Sequence, residues 1–441
     1  MLAYIAGVTP LMSGAPPASA LDDVLAGGAS SPVRAGRRVG GAPFVCARAD
    51  GPYAYDPAGR RFVDYVMAYG PLLFGHTPPF LDGLDALARE GVVHGSTAPV
   101  EIALAARIRA HLPSMEKLRF TTTGSEAVQS AIRVARAFTG RDAVLKFAGN
   151  YHGHFDLALH DAGASAETPD AARSGIPRAV LEDLAVARYN DLDDVDAHLA
   201  RAGERLAAIV VEPICGNMGL VETAPGFLQG LRERADRHGA LLIFDEVITW
   251  LRLGLGGAQR RLGVVPDLTT IGKVMGGGFP LAAFGGRADV MRVLAPDGPC
   301  FTGGTHAGMP FAAAIGLRVL DHVERHPELY AETEARARRL AGAVRATLRA
   351  LGLDYAVVQL ESIVDFKFRP GAPTRSYDDQ GRDDQRAYAA FYWAMRERGV
   401  LLPPSHNEVM FLSTAHADSD VAFTAAAIDE ALRELRAKGI V

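Results

Sequence analysis

Apolar and polar positions alternate along the middle of this chain in two different periods. Leu118–Thr122, Ala143–Phe147, the run LAAIVVEPICG (206–216) and Ala240–Phe244 are short, almost uninterrupted apolar stretches, the pattern of strands buried on both faces. Between them the spacing becomes helical. VEIALAARIRAHL follows Pro99, and a helix starting at Ser125 has an apolar face that includes Val128, Ile132, Ala135 and Phe138. GFLQGLRERADRHGA closes another helix at Gly239. This β-α-β alternation predicts a mainly parallel sheet covered by helices. Before it, PFVCARADG and PYAYDPAGRRFVDYV read as short strands, with Asp56-Pro57-Ala58-Gly59 as a hairpin turn. After about Glu324 helix formers take over. YAVVQL and IVDFKFRP follow as strands, then a hydrophilic loop over Gly371–Arg386, an aromatic-rich helix and a terminal helix. The expected organisation is an N-terminal arm and small-domain segment (1–75), a large α/β domain (76–323) and a smaller α/β domain (324–441).

At 441 residues, nearly half of them hydrophobic, the chain can bury more than one core. A net charge of −5 and the lack of a basic stripe argue against a nucleic-acid partner. No apolar run is long enough to span a bilayer. Cys46, Cys215 and Cys300 lie far apart, in neither a disulfide nor a metal spacing, which fits a reducing cytoplasm. Met1–Ala20 ends in Ala18-Ser19-Ala20, a mimic of a signal-peptidase site. It lacks any Lys or Arg and is broken by Gly7, Pro10, Gly14, Pro16 and Pro17, so it reads as a loose arm.

The candidate chemistry collects where the predicted strands end. Ala240–Phe244 runs into Asp245 and Glu246, and Lys273 follows a short β-like run and precedes Gly276-Gly277-Gly278. A lysine beside a glycine-rich turn can hold an aldehyde cofactor as a Schiff base, and a strand-end acid can pair with a ring nitrogen. For each residue alone, the plainer description, a surface lysine or a helix-capping acid, outweighs the chemical one. Gly124-Ser125, between a strand and a helix, offers free N–H groups and a hydroxyl to a phosphate, although Ser125 alone could be a helix cap. Neither a Walker A motif nor GxGxxG is present. Tyr151 could stack on a flat ring. His152 and His154 lack further ligands at a zinc spacing, so no metal is expected. Glu212 ends the strand-like run 206–216. Thr305 sits in a second glycine-rich turn, where His306 is read as a tight-loop polar residue. Arg34 could clamp a carboxylate or simply be a surface charge. The stretch 160–177 reads as a surface loop or a lid.

Taken together, SSPVRAG, TTTGSEAVQSAIRVARAFTGRD, KFAGNYHGHFD, VVEPICGNMG, LIFDEVIT, GVVPDLTTIGKVMGGGFPLAAFGG and GVLLPPS resemble the class III aminotransferases of fold type I, nearest their aminomutase branch, from about Ala29 to the C-terminus. The resemblance implies a seven-stranded large domain, pyridoxal 5′-phosphate (PLP), and amino-group transfer on a small carboxylate-bearing amino or oxo acid. The alternative is an intermolecular aminotransferase acting on a β- or ω-amino acid. It implies Lys273 as the Schiff-base lysine, Asp245 on the pyridine nitrogen and Tyr151 on the ring face. Gly124 and Ser125 would hold the phosphate, with Thr305 reaching it from the partner subunit of a homodimer. His152, Glu212 and Val247 are expected around the cofactor. Arg34, Tyr69, His306 and Glu408 are expected around the substrate, and the loop after His160 resembles a gating loop. The chain departs from the family where Trp250-Leu251 follow Thr249 and where GTHAGMP carries His306, Ala307 and Met309. It also departs at Tyr69, a position at which that branch usually has tryptophan. TTGSEA in place of NSGTEA is a conservative change.

Overall fold

The computed structural model describes residues 21–162 and 174–441; the expected N-terminal arm and the centre of the 160–177 loop lie outside the described residues. A seven-stranded sheet dominates. Its spatial order is Lys117–Thr121, Ala282–Gly286, Leu268–Ile271, Leu241–Asp245, Leu206–Val211, Ala143–Phe147 and Leu184–Ala187. The ladders from Leu268–Ile271 to Leu184–Ala187 are parallel, and only Ala282–Gly286 runs antiparallel to both its neighbours.

Side-chain alternation along these strands divides the apolar residues between two cores. Val144, Val210 and Ile243 pack with Val128, Ala131, Ile132 and Ala135 of the helix Gly124–Thr139. Leu145, Phe147, Ile209, Val211, Leu242 and Phe244 pack on the other face, with Val195, Leu199, Leu228 and Leu231. Phe138 does not belong to the buried face as its spacing predicted. It lies in the last turn, two residues before the Gly140 cap, and is 39% exposed. The run 206–216 also divides: the sheet strand stops at Val211, and Ile214–Cys215 pairs with Val221–Glu222 in a separate hairpin.

The two ends of the chain meet. Arg48–Asp50, Tyr53–Tyr55 and Arg61–Asp64 form a meander around the expected Asp56–Gly59 turn. Val400–Leu401 extends it, pairing parallel with Arg61–Asp64. Val39, Val63 and Tyr65 share one core with the helices Glu328–Ala350, Gln385–Glu397 and Asp418–Ala437 and the strand Ile363–Pro370. The stretch expected as a hydrophilic loop contains the 3-10 turn Tyr377–Arg382, and its end is the start of the helix Gln385–Glu397, capped by Asp384. Its polar side chains are used structurally: Asp383 holds Arg369 at 2.8 Å in a buried pair. Among the described residues no helix is long and apolar enough to cross a membrane.

Candidate active site

Parity along one strand sorts two adjacent acids. Asp245 shares a face with Leu241 and Ile243, which pack against the helix Gly124–Thr139, so its carboxylate comes out beside that helix's first turn. Glu246 turns the other way, is fully buried, and accepts from the N–H groups of Ala258 (2.6 Å) and Gln259 (3.1 Å) and from the Thr249 hydroxyl (2.9 Å). Its role is to cap the helix Gly257–Leu262. Asp245 accepts from Val247 N–H (3.1 Å) and Thr270 Oγ1 (3.3 Å), and its second oxygen meets His152 Nδ1 at 2.8 Å. His152 Nε2 is buried and lacks a hydrogen-bond partner among the described residues.

On the adjacent strand, Glu212 follows the last residue of Leu206–Val211. It accepts from Tyr151 N–H (2.7 Å), Asn217 Nδ2 (2.9 Å) and Gly216 N–H (3.0 Å). It thereby fixes the backbone from which Tyr151 projects. Burial raises both the Glu212 carboxyl and the Tyr151 hydroxyl above their usual ranges.

The helix Gly124–Thr139 begins with a capping box. Thr123 Oγ1 accepts from Glu126 N–H at 3.2 Å, and the Glu126 carboxylate takes the N–H groups of Thr122 (2.7 Å) and Thr123 (2.9 Å). The N–H groups of Gly124 and Ser125, at the first two helical positions, have no partner within the helix, and both residues border a cavity. Gly153 crowds this cradle-like turn. At φ +104° it lies so near Ser125 that an added Cβ would fall 2.5 Å from Ser125 Oγ and 2.6 Å from its Cα.

Lys273 opens a short 3-10 turn just past the strand Leu268–Ile271, in the left-handed region at φ +47°. Its Nζ donates no hydrogen bond to the described residues. Burial lowers its affinity for a proton, against the pull of Glu408, Glu212 and Asp245. Beneath it Met67, Ala68, Tyr69 and Gly70 are four successive residues with positive φ. Arg252 pins this run from below. Fully buried, it donates to Gly70 O (2.7 Å), Ser362 Oγ (2.8 Å) and Leu412 O (3.2 Å). The Trp250-Leu251 departure is accommodated alongside it: Trp250 is buried with Nε1 on Leu255 O (2.9 Å), and Leu251 adopts φ +63°.

One cavity of about 430 Å³ brings together Arg34, Gly124, Ser125, Tyr151, His152, Glu212, Asp245, Val247 and Lys273. Arg34 forms no ion pair with any described residue and also borders a second cavity of about 220 Å³, shared with Tyr69. Glu408 borders neither, yet it lies deep enough for burial to push its carboxyl up to about 7, with Lys273 the foremost charge acting against this. Tyr69 feels that carboxylate, and burial raises its hydroxyl. Thr305 and His306 stand apart, exposed on the turn before the helix Pro310–Arg325. His152 and His154 diverge, one to Asp245 and the other to Ser125 at 3.2 Å. Asn217, Thr270, Gly153 and Arg252 were not singled out from sequence. Only Gly153, within GNYHGH, carried a local signal.

The family profile described as aminotransferase class-III matches residues 35–436. A glutamate-1-semialdehyde 2,1-aminomutase of Thermomicrobium roseum is 45% identical over 411 residues, which cover 93% of this chain and 95% of that protein. Among solved structures, an omega-transaminase from Sphaerobacter thermophilus superposes with a TM-score of 0.87 at 32% identity, over 95% of this chain and 96% of that one. A glutamate-1-semialdehyde aminomutase from Pseudomonas aeruginosa PAO1 in complex with PMP gives 0.83 at 28%, over 95% and 93%.

Proposed function

Because this chain belongs to the class-III aminotransferases, with their fold type I architecture and pyridoxal 5′-phosphate as cofactor, we propose that it exchanges the amino and oxo positions of one small carboxylate-bearing acid, as a glutamate-1-semialdehyde 2,1-aminomutase does. The observation that carries this reading is the 45% identity to an aminomutase over nearly the full length of both chains. The residues fit the cofactor: an anion cradle, a strand-end acid, an aromatic ring and an unpartnered lysine share one cavity. When bound, the cofactor supplies an electron sink for charge developing beside the amino nitrogen.

The proposed roles follow from placement. Lys273 would hold the aldehyde and carry protons, helped by burial that favours its neutral, nucleophilic form. Asp245, oriented by His152, would face the pyridine nitrogen, with Tyr151 and Val247 against the ring and Glu212 anchoring Tyr151. Gly124 and Ser125 would take the phosphate. Gly153→Ala should therefore push Ser125 out of the cradle, read as at least about tenfold weaker cofactor binding. Unchanged affinity would refute the cradle.

Arg34 would receive the substrate carboxylate, with Tyr69 and His306 shaping the pocket. Thr305 would reach the phosphate site of a second subunit, a reading supported by its exposed turn beside Phe301, which is 72% exposed. The proposed assembly is thus a homodimer with shared sites, its substrate a small molecule and no nucleic acid, in the cytoplasm. The shared core of Val39, Val63 and Tyr65 with the C-terminal helices supports reading 1–75 and 324–441 as one small domain on the large domain 76–323.

Glu408 would exchange a proton near Lys273. Its carboxyl ionises as pH rises through about 7, so kcat/KM should show a limb there that Glu408→Gln removes. The second reading, an intermolecular aminotransferase with a separate donor, is favoured by Tyr69, His306 and the likeness to an omega-transaminase. One assay separates the two. Enzyme charged with pyridoxamine phosphate is given glutamate-1-semialdehyde alone. Repeated turnover without a donor supports the mutase; a single turnover that resumes only with a donor supports the transferase.

A further inference from the structure

A buried ion pair that no proposed role uses lies behind Glu408. Asp365 and Lys367 are two residues apart on the strand Ile363–Pro370, so both face the same side. They are 5% and 4% exposed, and Lys367 Nζ lies 3.1 Å from Asp365 Oδ1. Each also grips a backbone. Lys367 Nζ donates to His406 O, two residues before Glu408. Asp365 Oδ2 accepts from Leu220 N–H at 2.9 Å, in the hairpin that follows Glu212. The two gripped segments are joined directly as well, since Gly219 N–H donates to Asn407 O at 2.7 Å. Gly219 is tight against the pair: at φ +81°, an added Cβ would lie 2.6 Å from Asp365 Oδ2 and 2.7 Å from Lys367 Nζ. A continuous path thus runs from Tyr151 through Glu212 and Asn217 to the pair, and on to the segment that carries Glu408.

We propose that Lys367 is a positioning residue that, through the His406 carbonyl, holds Glu408 facing Lys273 and supplies a second cation to its carboxylate. This rests on the proton-exchange reading of Glu408. A buried pair is poor evidence of stability gain, because burying two charges costs about what their attraction returns. Its two backbone contacts instead fit a positioning use. The charges acting on Glu408 are Lys273, Lys367 and Arg38, which favour its ionised form, and Glu212, which opposes it; the hydroxyls of Tyr69, Tyr151 and Tyr388 also feel its carboxylate.

The test is kcat/KM against pH for holoenzyme carrying Lys367→Met, Lys367→Arg, Glu408→Gln or Lys367→Met with Glu408→Gln. Lys367→Met strands the Asp365 charge in the interior and can fail to fold. Asp365→Asn with Lys367→Met removes both charges and serves in its place. Losing the ammonium should move the Glu408 limb up by about one pH unit and lower kcat about tenfold, with little change in KM. Lys367→Arg should restore both. The double variant should be no worse than Glu408→Gln alone, because the two residues act on one step. A limb that stays in place, or losses that multiply, overturns the proposal. If Glu408→Gln itself leaves the limb intact, the reading of Glu408 falls together with this inference. If Glu408→Gln removes the limb while Lys367→Met leaves it in place, only the role of Lys367 falls.

Discussion

Lys273→Ala is expected to lower kcat by about 10⁴-fold, since it removes both the covalent anchor and the proton carrier in one change. No neighbour can substitute. Lys146 and Lys367 are each committed to backbone carbonyls, Lys146 to Ala158 O at 2.7 Å and Lys367 to His406 O. The fold should survive, because the side chain makes no hydrogen bond to the described residues and Val274 and Met275 keep the turn packed. The measurement is borohydride treatment followed by the mass of the chain. Wild type should gain the reduced cofactor covalently, and Lys273→Ala should release it. A variant still labelled by borohydride would move the anchor elsewhere.

Asp245→Asn should cost about 10³-fold in kcat while leaving cofactor retention nearly unchanged. The amide matches the carboxylate in shape and can still accept from Val247 N–H, but it brings no negative charge to the ring nitrogen. With its oxygen kept on Val247 and Thr270, it turns an N–H₂ toward His152, where the carboxylate oxygen lies 2.8 Å from Nδ1. Because Gly124 and Ser125 are untouched, the cofactor should remain bound, as read by absorbance after gel filtration. Equal losses in cofactor retention and in turnover would make Asp245 a binding residue rather than an electronic one.

How much of this was visible in the chain depended on distance along it. The strand-ending groups Asp245, Lys273, Tyr151 and Ser125 were legible because parallel sheets present their carboxyl ends on one side, whatever the register. Asp245 and Glu246 could not be told apart until parity along Leu241–Asp245 was known. Phe138 obeyed helical spacing but missed the core, since periodicity marks a face of a helix and not which of its turns finds a partner. Arg252 and Lys367 were invisible for another reason. A buried cation held by carbonyls has no local pattern, and its partners lie more than a hundred residues away for Ser362 and 39 for His406. The placing of Arg34 and Glu408 on one site came only from whole-chain resemblance.

The seam between the chain's ends sets an order of assembly during synthesis. Every strand of the seven-stranded sheet lies between Lys117 and Gly286, so Ser125, Tyr151, Asp245 and Lys273 of the cavity have all been made before the last third of the chain emerges. Arg61–Asp64, however, must wait for Val400–Leu401. At roughly 5–20 residues per second that delay lasts some tens of seconds, during which the edge strand and its apolar side chains lack a partner. The nascent chain is therefore most vulnerable at its N-terminal meander, far from the chemistry, and early capture of cofactor would protect only the part that has already folded.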